Sequence, residues 1–162
     1  MSAQTTYNFD TQRGIAGGIY DLAPYAIDTF LNEEATGTMK FGVAVVAGTT
    51  AGTQVKLPVS ASTAIEGVTN NNLTTEYDLE GNIHIRQNAS IGVMRYGRIW
   101  VRVADNVTPA YGDACYVLKT GTQAGYFTNA STNNLAVKGR FLTGIDPVAR
   151  IAAVELFNQA QS

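Results

Sequence analysis

The chain has 162 residues and a net charge of −2, and only 15% of its residues are charged. That length suits one domain, with or without an appendage. Globular proteins usually hold about 25% charged residues, so we expect partner subunits to cover part of the surface. A nearly neutral chain has no global basic field for nucleic acid or an anionic membrane. Protein partners are therefore expected, and neither nucleic acid nor membrane is.

Cys115 is the single cysteine, which excludes an intrachain disulfide and a zinc site built from several thiolates. The opening residues, MSAQTT, lack the basic and apolar regions of a signal peptide, and no run approaches 18 apolar residues. We expect a protein made in the cytoplasm that stays there or in a particle assembled there. Glycine fingerprints of nucleotide sites are also missing, so no cofactor is expected.

Residues 1–38 differ from the rest of the chain. Ten large apolar residues occur without a sustained period of 2 or 3.6, and Gly14, Gly17, Gly18 and Pro24 interrupt any regular element. Five acidic residues against one arginine give this region −4, whereas ten basic and eight acidic residues give the remainder +2. The two parts could attract each other, within one chain or between neighbours. Residues 25–34 fit either a short helix or a strand.

From Met39 the pattern is that of a β protein, because short runs rich in Val, Ile and Phe alternate with glycine- or asparagine-marked turns. The predicted strands are 39–47, 54–59, 65–69, 82–87, 97–104, 114–119, 126–128, 137–143 and 150–157. We predict an all-β fold, in which an extended N-terminal arm of residues 1–38 precedes a small β-barrel or sandwich of residues 39–162.

Few residues are candidates for catalysis. His84 is the single histidine, so any catalytic Ser–His–Asp or Cys–His arrangement must include it; the simpler interpretation is a polar strand face. Cys115 lies in an apolar run, where a lone thiol usually serves as a small hydrophobic side chain. Residues 78–82 lack the spacing of a calcium loop and fit a solvated turn. We predict no enzymatic activity and no catalytic, cofactor-binding or metal-binding residues.

The predicted strand 97–104 has two different faces. Ile99, Val101 and Val103 alternate with Arg98, Trp100 and Arg102. Basic residues beside an indole could stack a nucleic-acid base, although the near-neutral charge argues against it. The same face could meet a protein partner, since Trp and Arg are enriched at interface hot spots, or its arginines could simply pair with local acids. Arg98, Trp100 and Arg102 are therefore candidate contact residues.

The N-terminal arm is the strongest functional signal. Burying its ten large apolar side chains would contribute about 15–30 kcal/mol, but ordering its backbone costs a comparable or larger sum, at ~1–2 kcal/mol per residue. The arm should therefore become ordered only where it also finds backbone partners, at a sheet edge or in a groove. Either it forms the first strands of its own domain, or it reaches neighbouring subunits. Its candidate contact residues are Tyr7, Phe9, Ile15 and Tyr20.

Six short stretches follow one another in a characteristic order. They are TTYNFD at residues 5–10, GIAGGIYDLAP at 14–24, NEEA at 32–35, YGRIWVR at 96–102, TPAYGD at 108–113 and VELFN at 154–158. They are spread along most of the chain, between residues 5 and 158, and resemble tailed-phage structural cement (head decoration) proteins. Each stretch alone is ordinary strand-and-turn sequence, and their order gives the resemblance its specificity.

The resemblance implies a small, tulip-shaped β-barrel domain with an extended arm. It also implies homotrimers on the outside of an icosahedral shell, near three-fold positions, in contact with the major capsid protein and stabilising the shell against internal DNA pressure. The expected location is the outer surface of the virion, after assembly in the host cytoplasm. No catalytic residue is implied, and residues 70–82 receive no role.

Other functions remain open at this point. A different virion β-barrel, such as a tail or head-completion protein, would share the same strand pattern. A carbohydrate-binding module would stack sugars on exposed aromatic residues such as Trp100, Tyr111 and Tyr126, and a hydrolase would depend on His84.

Overall fold

The structure is a computed structural model that describes residues 14–72 and 77–159. All regular structure within these residues is strand, as predicted: β1 Ala26–Asn32, β2 Ala44–Ala47, β3 Gln54–Lys56, β4 Gly67–Asn70, β5 Ser90–Arg102, β6 Ala114–Val117, β7 Phe127–Thr128, β8 Leu135–Phe141 and β9 Ile151–Leu156. None of the described residues forms a helix with the length and hydropathy needed to cross a membrane.

Five strands close into a barrel. The pairing runs β1–β3–β2–β4–β5 and returns from β5 to β1, with only the β1–β3 pair parallel. Closure leaves no free sheet edge in this part of the molecule. One apolar cluster belongs to these strands and the loops beside them: Phe30, Met39, Phe41, Val43, Val45, Val55, Ile85, Ile91 and Val93.

The second half of the sheet continues from the other part of β5. The order is β5–β9–β8–β6–β7, with all pairs antiparallel. A parallel bridge between Val103 and Phe127 places β7 beside the end of β5. The Ala104 amide donates to the Phe127 carbonyl oxygen at 2.9 Å. The largest apolar cluster joins both halves of the sheet. It includes Val68 and Met94 of the barrel together with Ile99, Val154 and Phe141 of the second half.

The 13-residue β5 is thus shared by both halves. Residues 90–96 pair with β1, and residues 97–102 pair with β9. Gly97 lies at the change-over, with φ of 128°, and a Cβ there would lie 2.5 Å from the Tyr25 Cβ. Only glycine adopts this conformation without strain and also leaves room for Tyr25.

The predicted strands match the observed ones with three differences. Met39, Phe41 and Val43 are buried but only 44–47 form a strand, and β5 begins at Ser90, well before the predicted residue 97. The prediction of a strand at 82–87 was wrong: those residues make one isolated bridge, between Tyr77 and Ile83. Ile85 is buried and Arg86 exposed, as the predicted alternation requires, whereas Ile83 and His84 are both half-buried.

The strand alternative for residues 25–34 is the observed one. Strand β1 of the barrel therefore comes from the region predicted as an arm. Residues 1–13, with the predicted contact residues Tyr7 and Phe9, lie outside the described residues. An arm formed by those residues stays a prediction.

Replacing Gly97 by alanine tests the junction. We expect Gly97→Ala to lower the free energy of unfolding by at least about 2 kcal/mol, because it combines a strained backbone with overpacking against Tyr25. Gly121→Ala is the matched control: its φ is 86°, but nothing lies within 4 Å of its Cβ position, so only strain remains. Denaturant unfolding measures both, and equal losses would show that the junction is not crowded.

Candidate functional site

Residues 14–25, called here the N-terminal segment, run along the second half of β5. The Gly17 amide donates to the Trp100 carbonyl oxygen at 2.8 Å, the Trp100 amide donates to the Gly18 oxygen at 2.9 Å, and the Tyr20 amide donates to the Arg98 oxygen at 3.0 Å. These bonds flank an antiparallel bridge between Ile19 and Ile99. The segment thus acts as a short extra strand on β5.

The segment covers the single tryptophan of the chain. Trp100 is only 5% exposed, although it lies on the same face of β5 as two arginines. The Tyr20 ring meets the indole edge-on, with 5.3 Å between ring centroids, a favourable aromatic geometry. A Cβ at Gly14 would lie 2.3 Å from the indole Nε1, so glycine is needed there. The apolar neighbours of Trp100 are Ala16, Leu142, Ala149, Ile151 and Ala153.

An ion-pair network fastens the end of the segment to the barrel. Arg98 contacts Asp21 at 2.7 Å and Glu155 at 3.2 Å, and Arg140 contacts Glu155 at 2.9 Å. The hydrogen bond from Arg98 holds the pKa of Asp21 below its ordinary value, and Arg140 does the same for the pKa of Glu155. Both carboxylates therefore stay charged at neutral pH.

Among the residues that the structure describes, the attraction between the acidic N-terminal region and the rest of the chain occurs within one chain at two places. Besides the Asp21–Arg98 pair, Asp28 of β1 contacts Arg95 of β5 at 2.7 Å. The second basic residue of the predicted stripe, Arg102, donates from Nε to the Phe41 carbonyl oxygen at 2.9 Å. The described chain thus supplies partners to both arginines of the stripe.

The predicted contact residues now separate into two kinds. Ile15 is 53% exposed, and Tyr20 is also exposed. Arg98 and Arg102 are half-buried, and Trp100 is buried beneath the segment. In this conformation Trp100 offers no ring face to a sugar, to a base or to a partner subunit. Of the predicted contact residues that the structure describes, Ile15 and Tyr20 are therefore the exposed ones.

Large apolar side chains are exposed together on this segment. The apolar patch consists of Ile15, Ile19, Tyr20, Leu22 and Tyr25, with Tyr96, whose Cα pairs with Ala26 directly after the segment. Leu22 is 97% exposed. Leu22 and Tyr25 belong to the ten large apolar residues of the predicted arm but not to its candidate contact residues. The nearby Pro24 was the available signal, because proline interrupts pairing and leaves its neighbours in a loop.

Two features considered for chemistry, Cys115 and residues 78–82, have well-defined structural surroundings. Burial raises the pKa of the Cys115 thiol to about 12, so the thiolate needed for nucleophilic attack is scarce at neutral pH. The Asp78 carboxylate accepts the amides of Glu80 and Asn82 at 2.9 and 2.8 Å, which makes residues 78–82 a tight, exposed turn. No group of three His, Cys, Asp or Glu residues in the described part of the chain is placed to hold a metal ion.

Comparisons with known proteins give a family from the sequence and a fold from the structure. The family model described as structural cement protein (E217 gp24/Pam3 gp6) matches residues 3–157. A chain in the solved structure titled "The capsid of Myoviridae Phage XM1" superimposes with a TM-score of 0.75 at 19% identity, over 98% of this chain and 99% of that one. No curated protein matches the sequence.

Acid should loosen the N-terminal segment. Asp21 and Glu155 have folded-state pKa values below their ordinary values of 3.8 and 4.5. The stabilisation that they provide is therefore complete above those ordinary values and is lost as the pH falls through the lowered ones. We expect Trp100 fluorescence to shift to the red below about pH 4, before global unfolding is seen by circular dichroism.

The variant Asp21→Asn should remove much of that acid transition, since it breaks the pair with Arg98 at every pH. Asp105→Asn changes a carboxylate outside the network and serves as the control. An acid shift of equal size in the wild type and Asp21→Asn would show that the pair does not hold the segment.

Proposed function

We propose that this chain, which belongs to the phage structural cement protein family, binds the outer surface of the icosahedral head and stabilises it by bridging major capsid protein subunits. One observation carries the proposal. A row of large apolar side chains is exposed on a segment that is itself pinned by backbone bonds, an aromatic contact and an ion pair. Exposed apolar patches on an ordered support are typical of protein interfaces.

The apolar patch is suited to binding because its support is ordered before the partner arrives. Side chains on a flexible tail would lose conformational entropy on docking, whereas those on a strand held against β5 have already lost most of it. Leu22 and Ile15 are the most exposed members and so gain the most from burial. Residues 1–13, with Tyr7 and Phe9, extend the same apolar character and are proposed as further contacts.

Stabilisation of a shell follows from bridging. A subunit that contacts two or more capsid proteins benefits from a high effective concentration at each further contact, so that individually weak patches add up to firm attachment. We propose homotrimers at or near three-fold positions, with the major capsid protein and neighbouring copies as partners. The low charged fraction of 15% suits a protein whose surface is largely covered after assembly.

The role is proposed to be structural and without catalysis. The family is one of structural proteins, and the half-buried His84 lies beside Gly37, whose Cβ position is 3.5 Å from the imidazole Nδ1. A residue in this setting needs no catalytic explanation. His84→Ala should accordingly leave decoration of shells unchanged.

The double variant Ile15→Asp/Leu22→Asp should bind shells that lack the wild-type protein at least about tenfold more weakly, because two exposed anchors become charged. Co-sedimentation with such shells measures the affinity. Val148→Asp is the matched control, since Val148 is 92% exposed but lies outside the apolar patch. Equal binding by both variants would remove the patch from the interface.

A truncation should be limited to residues 1–13. Removing residues 1–22 would also strip the cover from Trp100 and take away Asp21, and would thereby mix a folding defect with a binding defect. We expect the 1–13 truncation to keep the buried Trp100 fluorescence of the wild type and to lose occupancy on shells. Full occupancy by the truncated protein would assign no contact to residues 1–13.

A further inference from the structure

The attachment of residues 14–20 to the barrel has a feature that concerns neighbouring copies. Besides the bonds to β5, the Asn71 amide and the Asn70 side-chain amide both donate to the Gly17 carbonyl oxygen, at 2.8 and 2.9 Å. Tyr20 packs on Trp100, and Asp21 pairs with Arg98. All these partners lie in β4, β5 and the loop after β4. A second copy of the segment, arriving from a neighbouring chain, would find the same partners.

The acceptor on β5 is specific for this sequence. A Cβ at residue 14 would overlap the indole, and Gly17 has φ of 80° with its Cβ position 2.7 Å from the Asn71 amide nitrogen. Most strands carry side chains at these two positions and would clash there. A segment with the spacing of Gly14 and Gly17 fits, so the appropriate second occupant is another copy of this chain.

Residues 21–25 connect the segment to β1 and have the properties of a hinge. They are bends and irregular backbone, Leu22 and Pro24 are exposed, and none of them belongs to a strand. Five residues can span roughly 17 Å when extended. Opening at this connection would carry residues 14–20 away from their own Trp100 and leave β1 in place.

We propose that residues 14–20 exchange between neighbouring copies, each copy's segment occupying the Trp100 site of the next. Exchange preserves the contacts of the closed form and changes only the hinge, so its free-energy cost is small. Copies held close together on a shell, as in the proposed function on which this setting rests, have the high effective concentration that favours it. The result is a segment of one copy held within the next copy by the same non-covalent contacts as in the closed form.

Mixing two single-cysteine variants tests the exchange. Ile19 and Ile99 are bridge partners flanked by backbone bonds, a pairing that brings Cα atoms to about 4.5 Å and permits a disulfide. Ile19→Cys and Ile99→Cys are mixed, added to undecorated shells and oxidised. We expect a disulfide-linked dimer on a denaturing gel. Native Cys115 is buried and should not react.

Two controls make the result decisive. Both substitutions in one chain should close an internal disulfide, which shows that the geometry is right. A mixture of the single variants Tyr116→Cys and Ala136→Cys places the two cysteines at paired positions of β6 and β8. These strands lie outside the exchanging segment, so this mixture should give no dimer. If the double variant forms its internal disulfide but the mixture of Ile19→Cys and Ile99→Cys gives no dimer, the exchange is overturned. Sedimentation of the same shells measures whether the protein binds them at all. A failure of the proposed function is thereby distinguished from a failure of the exchange.

A charge reversal tests the same idea without a disulfide. Asp21→Arg and Arg98→Asp each place like charges at the pair, and a mixture restores two opposite-charge pairs only if segments cross between chains. We expect mixed oligomers by native mass spectrometry at concentrations where each variant alone remains unassociated. If each charge variant alone associates as much as the mixture does, the exchange is contradicted. This conclusion holds even if the cysteine variants fold poorly.

Discussion

The backbone of β5 is the element on which the rest of the structure depends. Its first half lies between β1 and β4, and its second half lies between β9 and the N-terminal segment. Backbone amides and carbonyls that are removed from water must find partners, and a central strand meets this need only when both of its edges are occupied. Without residues 17–20, the Arg98 and Trp100 backbone groups would form an open sheet edge, which is a template for unwanted pairing.

The covering of that edge explains the unusual position of Trp100. Side chains alternate along β5, so the indole projects on the face that carries Arg98 and Arg102 and not into the main core. Burial there requires a second layer, which Ala16 and Tyr20 provide. The ion pairs beside it are partly exposed and contribute little each. Backbone pairing and apolar contact therefore hold residues 14–20, and the Asp21–Arg98 pair adds the attachment at the end of the segment, which is the part that acid weakens.

The sequence predicted the all-β class, most strands and the alternation on the second half of β5, because these follow from local periodicity. The first half of β5 escaped prediction, since Ile91, Val93 and Met94 are all buried and Gly92 interrupts the run, which hides the period of 2. Residues 82–87 misled in the opposite way: their sequence alternates, yet their one pairing in the structure is the bridge between Tyr77 and Ile83. Local pattern does not report which edges are free.

The sequence predicted which kinds of residue the candidate site contains, but not how they are arranged in space. Ten apolar residues in the first 38 predicted an adhesive region, and the family model supports a capsid-associated structural protein. Trp100 and Ile15 looked alike as candidates, yet one is buried and the other exposed. The difference arises from Gly14 and Gly17, whose missing side chains let the segment lie close enough to cover the indole. No periodicity encodes that close approach.

The N-terminal segment has an inner layer, which covers Trp100, and an outer layer, which is the apolar patch. The two layers contribute differently to its free energy. Apolar burial alone does not exceed the entropy of ordering a chain of this kind, so the inner layer needs the β5 backbone bonds to become fixed. Once it is fixed, the outward side chains of the apolar patch are held in place without having been buried. Their burial is left for a partner, and the entropy of ordering them has already been offset within the monomer. In the proposed function, a partner then buries side chains whose backbone is already ordered.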